Sequence, residues 1–162
     1  MIHVNHSDAV LRVFILFVQT AYAVLKYADA YFYRKAHLSV IKFIMLQALD
    51  INGGTMTLSE IAKWTHRERH NVTTLVERLK KDGLVTAERD NRDKRFVNVT
   101  LTDKGGEVVS QSTPVAKDIV NQVMLSIGDG DAVLLEKRLT VLRRNAHYGL
   151  EQLTKSSQRS PT

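Results

Sequence analysis

Apolar residues recur along this chain first at a helical and then at a strand period. Between residues 8 and 33 there is neither Gly nor Pro, and Leu11, Phe14, Ile15 and Val18 recur at helical spacing with Val10, Phe17 and Ala21 beside them. A helix apolar on more than one face is buried on several sides, as when it packs on its own core and on a second subunit. Ser39 stands where it would cap a second helix over residues 40–49, with Ile41, Ile44, Met45 and Ala48 at helical spacing, and Asn52-Gly53-Gly54 stops it. Thr57 opens a short helix to about residue 64, with Thr57 and Glu60 at capping-box spacing. After the break Thr65-His66-Arg67, a helix over residues 68–81 carries the inward stripe Val72, Leu75, Val76 and Leu79, and Gly83 ends it.

The period then falls to two. Residues 84–88 and 96–101 read as strands, with Phe96, Asn98 and Thr100 alternating against Val97, Val99 and Leu101. Between them lies a polar tip, from Arg89 to Arg95. Thr102 caps a long helix to about residue 126, expected to bend near Pro114. Gly128-Asp129-Gly130 reads as a turn, and residues 131–153 as a last helix with Val133, Leu134, Leu139 and Leu142. From Lys155 on, the tail is polar and expected to be disordered. The pattern is a mainly α fold with a small β-hairpin wing, a winged helix-turn-helix flanked by N- and C-terminal dimerisation helices. It divides into an N-terminal dimerisation helix (residues 1–37), a winged helix-turn-helix domain (38–104), C-terminal dimerisation helices (105–154) and a tail (155–162).

Composition narrows the chemistry. The 162 residues make one domain, or one domain with helical extensions, and 44% hydrophobic content is enough for a core. A net charge of +6 and a pI near 9.7 favour an anionic partner, although basic charge alone does not establish nucleic-acid binding. No cysteine is present, which excludes disulfides, thiolate metal sites and cysteine redox sensing. In the first helix the most apolar run, residues 13–18, is short, and Arg12, Gln19, Lys26 and Asp29 interrupt the rest, whereas a membrane span wants about 20 mostly apolar residues. No basic start with a small-residue cleavage site precedes it. A cytoplasmic protein without a membrane partner is the expectation. Of six histidines, His3 and His6 stand at the terminus and His66 and His70 straddle the turn; with no tight ligand cluster, neither a metal nor another cofactor is expected. The chain has no nucleophile motif, phosphate loop or paired catalytic carboxylates, so an enzyme is not expected.

The helix over residues 68–81 carries the candidate chemistry. With its stripe facing the core, His70, Thr74, Glu77 and Lys81 point away, flanked by Arg67, Asn71, Thr73 and Arg78. Imidazole, amide, hydroxyl and guanidinium groups near a helix start can bond base edges or phosphates in a major groove. The same residues would also make an ordinary solvated face; the preceding short helix and the following basic hairpin favour double-stranded DNA. At the hairpin tip, Asp93 can pair with Arg95 and hold it extended, while Arg92 and Lys94 reach phosphates or a minor groove.

Four stretches resemble the MarR (multiple antibiotic resistance regulator) family in order and spacing: Leu58 to Ala62, Val72 to Val85, Asp90 to Arg95, and Leu101-Thr102-Asp103-Lys104-Gly105. The Asp-x-Arg of the wing and the Leu-Thr-x-x-Gly after it are the most distinctive, and the likeness covers roughly residues 38–105. The resemblance implies a homodimer whose terminal helices interlock, bound to a palindromic operator and more often repressing than activating. By position His70, Asn71 and Thr74 would read the major groove, Thr73 would touch the backbone, and Arg95, oriented by Asp93, would enter the minor groove. Two departures stand out: Thr65-His66-Arg67 replaces an apolar-Gly-apolar turn, and Thr74 stands where an arginine is common, so Arg67 and Arg69 would take over contacts. The resemblance also implies a small aromatic or phenolic effector. Tyr22, Tyr31, His37 and Met45 are the candidates for its pocket, and each by itself reads more readily as a core or interface residue. The alternatives are a winged helix used for protein interaction, or an activator.

Overall fold

The computed structural model describes residues 8–90 and 93–157; His3, His6 and Arg92 lie outside them. The chain forms two compact units, Met1–Val123 and Met124–Thr162.

In the first unit α1 (Ala9–Ala36) starts where Asp8 Oδ1 accepts the amides of Val10 and Leu11. It runs three residues past the expected end, because Arg34 and Lys35 suit a helix C-terminus and His37 closes it in the left-handed conformation, φ 51°. Burial on several sides is not what the unit shows: Ala28 and Phe32 are buried, while Val10, Val13, Phe14 and Leu16 stay exposed. By length and composition alone α1 could cross a membrane, its best window having a mean hydropathy of 1.7.

Helix α2 (Val40–Ile51) is capped twice, Ser39 Oγ accepting from Lys42 N and Asp29 Oδ1 of α1 accepting from Val40 N at 3.0 Å. Phe43, Met45, Leu46, Ala48 and Leu49 are all buried, so α2 is the central rod of the core. It ends as expected on Gly53 and Gly54, both at positive φ. A short strand follows, β1 (Thr55–Thr57), then α3 (Leu58–Thr65) with both halves of the capping box formed. Helix α4 (Arg69–Lys81) buries the expected Val72, Leu75, Val76 and Leu79, and Gly83, φ 75°, turns the chain into β2 (Val85–Arg89). Strand β3 (Val97–Leu101) returns antiparallel, and α5 (Asp103–Val123) continues through Pro114.

Instead of a two-stranded hairpin, the sheet has three strands in the order β1-β3-β2. Met56 pairs with Val99 and Val85 with Leu101, so one face buries Met56, Val85 and Val99 against the helices. The core lies where α2, α3 and α4 meet that face, with α1 and α5 packed on α2.

The second unit holds α6 (Asp129–Ser157), and it corrects two expectations. Asp129 and Gly130 belong to the helix, whose first turn closes as Ala132 N donates to Gly128 O. Lys155 is also helical, so the expected disordered tail loses its first residues; residues 158–162 lie outside those described. Leu135, Leu139, Leu142, Ala146, Gly149 and Leu153 follow one another at alternating steps of four and three, the spacing of a coiled-coil seam.

Candidate nucleic-acid interface

The turn before α4 is built around His66. Its φ of 53° is a left-handed conformation that glycine adopts freely and other residues adopt at a cost of roughly 1–2 kcal/mol. The amide of Arg67 donates to Ala62 O at 3.0 Å, which holds α3 and α4 in a tight elbow. Glu68 is the N-cap of α4 but makes no side-chain cap bond. Beyond the elbow Arg67, Arg69, His70, Asn71, Thr73, Thr74 and Arg78 are all exposed, together with Glu77 and Lys81 on the same helix. Two of these are partly committed: Thr73 Oγ1 donates to Arg69 O at 3.0 Å and Thr74 Oγ1 to His70 O at 3.1 Å.

Helix α4 packs along β2, the strand that leads to the wing. At the tip Asp93 accepts three kinds of donor from Arg95: the backbone amide at 3.0 Å, Nε at 3.0 and 3.1 Å, and Nη2 at 2.6 Å. The Arg95 side chain nevertheless stays 86% exposed. A guanidinium has five N–H donors, so the bidentate grip on Asp93 leaves three directed outward. The Arg95 side chain first, and its amide second, hold the Asp93 carboxyl below its ordinary range, and Asp93 in turn raises Arg95. Lys94 is exposed beside it.

Asp90, which sequence reasoning passed over, braces this tip. Its Oδ1 accepts Asp93 N and its Oδ2 accepts Asn98 Nδ2, both at 3.0 Å, while Asp90 N donates to Phe96 O. An aspartate that bonds a backbone amide three residues on is ordinary turn chemistry, and the Asp-x-x-Asp spacing was the available signal. Also unread was Asp82 at the C-terminus of α4, where it pairs with Lys42 of α2 at 2.6 Å and its carbonyl accepts Lys104 Nζ of α5 at 2.8 Å. Helix α4 is thus tied at its far end to two neighbours.

The four candidate effector residues are placed less coherently. Met45 is fully buried in the core, Tyr31 is half-buried beside Tyr27, and His37 and Tyr22 are exposed, Tyr22 to 72%. The side chains of α1 and α5 do meet where Tyr27 Oη donates to Gln122 Oε1. Among the described residues no group of three or more His, Cys, Asp or Glu could hold a metal ion.

The MarR family profile matches residues 38–95, the segment that carries the elbow, α4 and most of the hairpin. Over residues 38–95 the chain thus matches the MarR family of winged-helix proteins. The MarR-type fold extends further: the organohalide-sensing transcriptional regulator RdhR, solved with 2,4-dichlorophenol, is 27% identical with a TM-score of 0.74, over 85% of this chain and 81% of that one. The MarR regulator Sco3205 of Streptomyces coelicolor, solved in complex with DNA, shares the fold with a TM-score of 0.79 at 23% identity, over 83% and 86% of the two chains. The transcriptional repressor NicR of Pseudomonas putida is 33% identical over 98 residues, 60% of this chain and 61% of the relative. The match spans about three fifths of the length of such curated relatives. These relatives are transcriptional regulators and not enzymes, in line with the expectation for this chain.

Proposed function

We propose that this chain is a sequence-specific DNA-binding transcriptional regulator that acts as a homodimer. The observation that carries the reading is the wing. Arg95 is exposed yet locked by Asp93, an arrangement with little structural use but suited to a phosphate-lined minor groove, and it stands in the turn between β2 and β3, of which β2 packs on α4. The groove readers are His70, Asn71 and Thr74, with Arg67, Arg69, Thr73, Arg78, Arg92 and Lys94 supplying backbone contacts.

Dimerisation follows from the apolar surface that each unit leaves open, Val10, Val13, Phe14 and Leu16 on α1 and Leu135, Leu139 and Leu142 on α6. Two copies would set two recognition helices on half-sites of a palindrome, about 34–36 Å apart. Repression is the direction we assign, because a dimer seated on a promoter excludes polymerase without an activation surface, and NicR is named a repressor. The effector is a small aromatic or phenolic compound, a reading supported by the 2,4-dichlorophenol bound in the RdhR structure. A regulator of this kind works in the cytoplasm, where the chromosome lies.

The test is fluorescence anisotropy on the DNA upstream of the gene and on random DNA, over a salt series. Sequence-preferring binding at two protomers per site, falling steeply with salt, is the expected outcome. Binding to neither DNA at low salt would overturn the reading in favour of a protein partner.

A further inference from the structure

Among the exposed residues of α4, Thr74 lies opposite the core stripe, one turn after His70. With Thr73, Glu77, Arg78 and Lys81 it borders an open depression of about 560 Å³. What Thr74 offers to a partner depends on where its single hydroxyl proton goes. In the folded helix that proton is spent on His70 O at 3.1 Å, in the manner common to threonines that bond back to the preceding turn. A hydroxyl has one donor and two lone pairs, so the outward remainder of Thr74 is a methyl group and an acceptor oxygen, with no donor. Thr73, further round the helix, is committed in the same way to Arg69 O.

That remainder fits one class of base pair. In the major groove an A·T pair shows the thymine C5 methyl and the adenine N6 amino donor, whereas a G·C pair shows two guanine acceptors, a cytosine amino donor and no methyl. A guanine could be bonded only by taking the proton away from His70 O. We propose that Thr74 is a specificity-determining residue that selects an A·T pair through the thymine methyl, with its hydroxyl oxygen accepting from the adenine amino group. The inference rests on the DNA-binding reading above and adds the base that α4 prefers. An arginine at this position, with donors only, would select guanine instead.

The test starts with sites selected from random DNA by the full chain, followed by anisotropy titrations in which each thymine is replaced by deoxyuridine, which removes only the C5 methyl. Wild type should lose about four-fold in affinity, the value of one buried methyl group, at one thymine of each half-site. Thr74→Val keeps a methyl and removes the hydroxyl, and should retain that discrimination. Thr74→Ser keeps the hydroxyl and removes the methyl, and should bind the two DNAs equally. Indifference of wild type to deoxyuridine at every position, with tight binding otherwise, would overturn the role of Thr74 and leave the regulator reading intact; so would discrimination that survives Thr74→Ser. A chain that selects no site and binds no DNA would overturn both.

Discussion

Gly105 shows how little room a motif residue can have. A Cβ there would stand 2.2 Å from Leu84 O and 2.7 Å from Leu101 Cδ1, and the nearer atom is backbone in the turn between α4 and β2. The preceding Thr102 closes the same junction, its hydroxyl donating to Gly83 O and accepting from Gly105 N. Gly105→Ala should therefore destabilise the protein by about 2 kcal/mol, as overpacking does, and shift the urea midpoint at unchanged slope. Glu60 is a second residue whose role has a measurable signature. The Thr57 backbone amide, and then its hydroxyl, hold the Glu60 carboxyl below its ordinary value of 4.5. A carboxyl lowered in the folded state stabilises above its unfolded value and loses that contribution as pH falls through the folded one. The gap in thermal midpoint between wild type and Glu60→Ala should be constant above about pH 5.5 and narrow below pH 4.5. A gap that widens on acidification would contradict the capping role.

At the scale of elements, the wing is a positioned cation more than a patch of charge. Asp93 brings a negative charge to the surface proposed to meet DNA, so on net charge alone its removal would strengthen binding. Its bonds to Arg95 argue the reverse, because an arginine freed of its partner must be ordered again at each encounter. Asp93→Ala should weaken DNA binding several-fold at moderate salt, and Asp90→Ala should do the same by loosening the loop that carries Asp93. Tighter binding by Asp93→Ala in an anisotropy titration would show that the wing acts through charge alone. Helix α4 was readable by contrast, since its stripe, its Gly83 stop and its polar face are all local patterns. Strand β1 was not readable. Three residues carry no period, and Thr55, Met56 and Thr57 become a strand only because β3 lies alongside.

For the whole molecule the deciding feature is apolar surface that one chain leaves uncovered. The chain has a single tryptophan, Trp64 on α3 and exposed at the surface, so its fluorescence reports on the winged helix. Phe14→Glu should convert a dimer to a monomer by light scattering, leave Trp64 emission unchanged and cost most of the DNA affinity, because one half-site holds few contacts. A wild-type chain that is monomeric when purified would refute the dimer. One that requires detergent would assign α1 to a bilayer, for which its length and hydropathy suffice.

What the sequence by itself determined were features whose causes lie within a few residues: the caps at Ser39 and Thr57, the stripe of α4, the glycine stops, and the Asp93–Arg95 pair two positions apart. Interactions within one turn repeat wherever the same residues occur, so spacing alone reveals them. Tertiary structure decided the rest. It set β1 against β3, brought Asp29 of α1 to the start of α2, and placed Leu84 O over Gly105. It also buried Met45 while leaving Tyr22 outside, which separates two residues grouped by chemistry. The first three depend on groups distant in sequence or on the angle between packed elements. None of these leaves a period in the chain.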